Sequence, residues 1–162
     1  MPNKDQLSRV CFTGHRSIDT ALSPAISCTL SGVLQSLIDH GATDFYAGGA
    51  LGFDTIAALT VLKLRRICPD IKLHLILPCK VQTKMWSERD TFVYEQILSA
   101  ADSVEYVQES YTSGCMHERN RRLVDISDIC IAFCEHSGGG TAYTVAYALK
   151  NEKELINIAD LI

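Results

Sequence analysis

Proline and tryptophan are scarce in this chain, four and one respectively among 162 residues, and no low-complexity tract interrupts it, as in an ordinary globular domain. Long apolar runs are missing as well. None approaches the ~18–20 uninterrupted residues of a membrane helix, so no membrane partner is expected. The opening stretch MPNKDQLSRV lacks the apolar core of about 7–15 residues that secretory signals carry, which points to a cytoplasmic protein. CxxC pairs are absent. The seven cysteines (11, 28, 68, 79, 115, 130 and 134) are an odd number, which argues against a disulfide framework. Cys130, Cys134 and His136 lie close together, yet no second ligand pair has zinc-like spacing. Cys130 and Cys134, in the apolar run 129–134, therefore read as small buried hydrophobes, and neither a metal nor a cofactor is expected. Excess charge is small too: a formal net charge of −4 argues against a surface that coats nucleic acid, a local basic patch aside.

What the chain does have is alternation. Short apolar, β-rich runs stand at 9–12 (RVCF), 44–47 (DFYA), 72–77 (KLHLIL), 103–107 (SVEYV), 128–133 (DICIAF) and 155–159 (LINIA). Segments of helical periodicity separate them. The first starts at Ser23-Pro24, carries a stripe of Leu30, Val33, Leu34, Leu37 and Ile38, and ends at His40-Gly41. The others are expected at about 52–66, 88–101, 114–126 and 141–151. Strands alternating with helices over one domain-sized chain predict a single α/β domain, residues 1–162. The architecture is a three-layer sandwich around a mostly parallel sheet of about six strands.

Right-handed crossovers place every strand-to-helix loop at the same edge of such a sheet, where ligands bind. Those loops hold eight of the ten glycines: 14, 48, 49, 52, 114, 138, 139 and 140. In GGALG (48–52) and GGGT (138–141), glycines lead into helices whose free N–H groups attract anions. Thr141 there is an N-cap or a phosphate donor. For either loop alone a tight capped turn is the competing reading; two loops on one edge weaken it. Neither is followed by GKS or GKT, so this is not a Walker loop. Arg16 suits bidentate phosphate contacts, and His15 beside it is an acid–base candidate or a structural hydrogen-bond group. On the fourth helix, Arg119 or Asn120 could face the same pocket, unless the stretch is simply a charged solvated face. Trp86 offers either a stacking surface for a base or a core residue at the start of the third helix.

In order along the chain stand CFTGHR (11–16), YAGGALGFD (46–54), Pro78, Gln82 and Trp86, MHERN (116–120) with VDISD (124–128), and GGGTAYTVAYA (138–148). This series, spanning about residues 9–149, resembles the SLOG superfamily, and most closely its bacterial YpsA-like branch. The resemblance implies a Rossmann-like fold, a nucleotide or nucleotide-derived ligand, and a homodimer. The same superfamily includes phosphoribohydrolases, which cleave a base from nucleoside monophosphates, and the single-strand-binding protein DprA. Relative to the phosphoribohydrolases, Asn120 stands where they have lysine. Aligned on Gly140-Thr141, Thr144 stands where they carry a glutamate. The binding apparatus thus resembles theirs while the catalytic carboxylate does not.

Three readings follow. In a binding or sensing module, Gly14, Gly48, Gly49, Gly52, Gly138, Gly139, Gly140 and Thr141 surround the phosphate. Arg16 and Arg119 balance its charge, and Asp54 accepts from ribose hydroxyls. In a hydrolase of an N-glycosidic or phosphate bond, Arg119 positions phosphate, with Glu118, Asp54 or His15 as acid or base. A single-strand nucleic-acid binder is the third, and the acidic balance and few loop aromatics weigh against it.

Overall fold

A computed structural model describes residues 7–162. Six strands alternate with five α-helices. They are β1 (Arg9–Gly14), α1 (Ser23–Asp39), β2 (Asp44–Ala47), α2 (Phe53–Arg65), β3 (Lys72–Leu77), α3 (Glu88–Ala100), β4 (Ser103–Tyr106), α4 (Cys115–Asp125), β5 (Ile129–Phe133), α5 (Gly139–Lys150) and β6 (Glu154–Asn157). All ladders are parallel, and the spatial order is β4-β3-β2-β1-β5-β6. The chain moves outward from β1 to β4 and then returns past β1 to β5. Right-handed crossovers in these two directions put α1, α2 and α3 on one face and α4 and α5 on the other. The packing of α1 on α2, α2 on α3 and α4 on α5 agrees. Winding reverses between β1 and β5, the place where a parallel sheet of this kind offers a crevice at its carboxyl edge.

The period-two alternation of the strands fills two unequal cores. Val10, Phe12, Phe45, Leu73, Leu75, Ile129 and Ile131 pack under α1 and α2 against Ile26, Leu30, Leu34, Phe53 and Val61. The opposite positions, Cys11, Ile76 and Cys130, meet Leu123 and Val124 of α4 and Ala148 of α5 in a smaller core. Cys11 and Cys130 are register partners on β1 and β5 and act there as small apolar groups, while Cys79 and Cys115 are also buried. Among the described residues no helix is long and apolar enough to cross a membrane.

Two boundaries differ from the periodicity in an informative way. The last strand stops at Asn157 and is followed by a 3-10 turn, Ile158–Leu161. Asn157 is responsible. Its Oδ1 accepts the N–H groups of Cys134 at 3.0 Å and Ala159 at 3.2 Å, and its Nδ2 donates to the Cys134 carbonyl at 2.9 Å. A side chain that bonds backbone in this way ends the ladder and ties down the exit of β5. Helix α5 also begins earlier than expected, with Gly138 as N-cap and Gly139 and Gly140 inside its first turn.

The entry to α2 docks directly on the loop after β1. The Phe53 N–H donates to the His15 carbonyl at 3.1 Å, and Phe53 packs edge-on to Phe12 in the core. Gly52 caps α2 at φ +76°, and a β-carbon there would overlap the carbonyl oxygens of both His15 and Arg16. Gly52→Ala combines left-handed strain with a backbone clash, and is expected to lower the unfolding free energy by about 2–4 kcal/mol. Urea denaturation checks this, and an unchanged midpoint would show that the α2 entry is not held by this packing.

Candidate functional site

At the carboxyl edge of the sheet, over the β1/β5 reversal, lies a cleft of about 340 Å³. Five segments wall it: Thr13–Arg16 at the end of β1 and just beyond, Ala50 before α2 with Asp54 in its first turn, Gln82 after β3, Met116, His117, Arg119 and Asn120 on the first turns of α4, and His136 with Gly138–Thr141 after β5. The volume is at the lower end of the range for small-molecule sites. Among the lining residues the charged groups are Arg16, Arg119 and Asp54, alongside three histidines.

Arg119 is the most constrained of these. It is only 5% exposed, on the inner face of α4. Its Nε donates to Asn120 Oδ1 at 2.7 Å, Nη1 to the Gly48 carbonyl, and Nη2 to Met116 Sδ at 3.7 Å. A β-carbon at Gly48 would stand 2.8 Å from Nη1, so the glycine is what lets β2 end against the guanidinium. These bonds use three of the five guanidinium donors. Among the described residues no carboxylate forms an ion pair with Arg119 or with the exposed Arg16. Burial, offset in part by Asp54, pulls the Arg119 pKa below its ordinary value. A buried cation held by neutral acceptors is an unbalanced charge.

Asp54 stands in the first turn of α2 and is 6% exposed. Its Oδ2 accepts the Ala50 N–H at 3.2 Å. Burial raises its pKa to about 6, against the opposing pull of Arg119, the Ala50 N–H and Arg16. Among the described residues Asp54 is the only carboxylate in the cleft wall. Glu118, on the same helix as Arg119, accepts from Gln108 Nε2 at 2.9 Å and is not part of that wall.

The two glycine loops differ. At α2 the Phe53 N–H is engaged by the His15 carbonyl, and in the loop before the helix the Ala50 N–H is engaged by Asp54. Gly48, Gly49 and Gly52 lie outside the cleft wall and admit Arg119, Leu77 and the His15–Arg16 backbone respectively. At α5 there is no side-chain cap, and a β-carbon added at Gly138, Gly139 or Gly140 would meet nothing within 4 Å. The first-turn N–H groups of α5 lack partners within the helix, and the residues that carry them, Gly139, Gly140 and Thr141, line the cleft. Thr141 lines it as well, whereas Thr144 is 1% exposed with its hydroxyl donating back to the Gly140 carbonyl at 2.9 Å, away from the cleft.

His15 lines the cleft, but its Nε2 accepts the Glu135 N–H at 2.9 Å, so that lone pair is used and the ring is neutral with its proton on Nδ1. Burial and the neighbouring His136 both lower its pKa, in keeping with that state. The two imidazoles stack with centroids 4.2 Å apart. Gly14 joins the same wall and admits Phe53 beneath it. Trp86 lies edge-on to Tyr94 at 5.4 Å, outside the wall. Sequence reasoning misses Gln82, Met116, His117 and His136 as wall residues. The first three lie inside motifs it singles out, and His136 stands two residues before the first glycine of the run, so adjacency is the available signal.

Parallel strands in this order, with a charged crevice at the reversal of winding, define a Rossmann-like α/β protein. The model of the YspA SLOG family matches residues 10–161, and the chain belongs to that family. It is 31% identical over 134 residues to the SPbeta prophage-derived protein YoqJ of Bacillus subtilis, covering 75% of this chain and 78% of that one. To a UPF0398 protein of Halalkalibacterium halodurans it is 31% identical over 124 residues, covering 75% of this chain and 66% of that protein. Among solved structures it resembles DNA processing protein A from Streptococcus pneumoniae, with TM-score 0.68 at 16% identity over 92% of this chain and 49% of that one. The Helicobacter pylori DNA processing protein A, solved for its single-stranded DNA binding mode, matches with TM-score 0.66 at 21% identity over 93% of this chain and 65% of that one. These two likenesses concern the fold, and this chain spans 49% of the length of the first and 65% of the second.

The buried carboxylate has a consequence for stability. The folded protein holds the Asp54 proton more tightly than the unfolded chain, from 3.8 up to about 6, so stability falls as pH rises through that window. Above it, ionised Asp54 costs on the order of 3 kcal/mol. Asp54→Asn keeps an oxygen for the Ala50 N–H and is expected to raise the unfolding free energy at pH 8, the gain disappearing by about pH 4. Denaturant titrations across that range check it; a gain independent of pH would contradict the cause.

Proposed function

We propose that this chain is a binding or sensing module for a phosphorylated, nucleotide-derived small molecule held in the cleft at the β1/β5 reversal. The observation that carries the reading is Arg119, a buried guanidinium that forms no ion pair with a carboxylate among the described residues, sharing one cleft with the N-terminus of α5, which has no side-chain cap among them. A phosphate seated on the N–H groups of Gly138, Gly139, Gly140 and Thr141 would be flanked by Arg16 and Arg119, with charge-assisted bonds on both sides. Asp54 and Asn120 then face the sugar end, where a carboxyl oxygen accepts from hydroxyls whether or not the group is ionised. Gly48, Gly49 and Gly52 serve this indirectly, by admitting Arg119 and the β1 loop. The proposal includes a homodimer, which rests on the superfamily resemblance alone.

A second reading, hydrolysis of an N-glycosidic bond, is favoured by one observation: a carboxyl near neutrality in its protonation, Asp54, beside an arginine. Against it, the wall supplies one carboxylate where such chemistry ordinarily employs two, and Thr144 is turned away. A nucleoside monophosphate panel separates the readings: binding without release of free base is expected. Base release abolished in Asp54→Asn would favour hydrolysis instead.

Arg16→Ala or Arg119→Ala is expected to weaken binding of a nucleoside monophosphate by about 1.5–3 kcal/mol for each charge-assisted hydrogen bond removed. The matching nucleoside should be affected much less. Calorimetric titration of both ligands checks this, with thermal unfolding to exclude loss of fold. Equal effects on the two would mean that the arginines support the structure and do not read the phosphate.

A further inference from the structure

We infer that the cleft takes up a proton when it binds an anion, and that the receiving group is Asp54. The inference rests on the anion-binding reading above and adds to it a dependence on pH. Asp54 is the sole carboxylate of the wall among the described residues, is 6% exposed, and engages only one oxygen, Oδ2, with the Ala50 N–H. An anion in the same cleft adds negative charge beside it and displaces water, and both effects favour the neutral carboxyl. It also competes for the field of Arg119 and Arg16, the two cations that draw the Asp54 pKa down against the larger effect of burial. Once protonated, the carboxyl becomes an O–H donor, able to serve the anion that its ionised form repels.

The groups facing Asp54 come from every neighbouring element. Arg16 stands on the β1 loop and Arg119 on α4, and both draw its pKa down against the larger effect of burial. Cys130 of β5 is held as a thiol, chiefly by its hydrogen bond with Cys11 and then by burial. The other titratable groups in the wall are His15, His117 and His136. His15 cannot take the proton without losing its bond from the Glu135 N–H, whereas His117 and His136 are exposed and must be tested directly. With the empty cleft titrating near about 6, the anion should bind more weakly as pH rises above that value. At its steepest the loss is about tenfold per pH unit for one linked proton.

Inorganic sulfate is the probe, because it does not titrate in this range. Its binding to the wild-type protein, measured calorimetrically at pH 7 in two buffers of different ionisation heat, should show uptake of more than half a proton. Infrared difference spectra on adding sulfate should show a carboxylate band replaced by a protonated carboxyl band, a readout that needs no variant. In Asp54→Asn the uptake should vanish and sulfate affinity at pH 8 should rise at least tenfold, while His117→Gln/His136→Gln should keep the uptake. Sulfate bound with no proton uptake, or with uptake that survives in Asp54→Asn, overturns the inference and leaves the anion-binding reading standing. No sulfate binding at any pH removes both.

Discussion

Handedness at β1 is the constraint from which the rest of this structure follows. Once the chain has wound outward through β2, β3 and β4, its return must cross the sheet on the opposite face to stay right-handed. That return brings α4 over the smaller core and sets β5 against the free side of β1. The loops after β1 and β5 then have no common helix to cover them, and the crevice between them is a product of topology before any side chain is considered. Arg119 enters from the returning helix, Asp54 from the first face, and the glycine run from the helix after the reversal, so the cleft draws on both faces of the sheet.

The charges in that crevice are poorly balanced for a folded interior. Two guanidinium groups lack carboxylate partners among the described residues, and the one carboxylate is buried enough to resist ionisation. A protein selected only for stability would pair them or replace them with apolar groups. Here each buried one is instead fixed by neutral groups: Arg119 by a carbonyl, an amide oxygen and a thioether, Asp54 by one backbone N–H. Fixing a charge without neutralising it leaves its field directed into the cleft.

Most of the architecture is legible in the sequence because the two periods are clean. Apolar runs of four to six residues with β-branched content stand out from stripes such as Leu30, Leu34 and Leu37, and the glycines mark which edge of the sheet is open. The site is legible only as a neighbourhood. Glu118 and Arg119 are adjacent in sequence, yet one turns to Gln108 and the other to Gly48, a choice made by helical phase and packing. Thr144 occupies the expected turn of α5 but faces inward, and the end of β6 depends on a side chain, Asn157, whose partners include the residue that follows β5. Directions of this kind require the tertiary structure that the chain acquires only on folding.

The clearest case is the pair of glycine loops, which look alike as strings. A glycine before a helix has two separate physical uses: it removes a β-carbon so that the protein's own atoms can approach, or it leaves backbone donors open to a guest. The two are told apart by asking what a methyl group would touch. At Gly48, Gly49 and Gly52 it would touch Arg119, Leu77 and the carbonyls of His15 and Arg16, so these glycines are filled from within. At Gly138, Gly139 and Gly140 it would touch nothing, and no side chain caps the helix that follows. The first loop builds the wall by admitting a cation; the second leaves the space that the cation faces. Each depends on the other, since a β-carbon at Gly48 would collide with the guanidinium, and without the open turn the guanidinium would share its cleft with no free helix N-terminus.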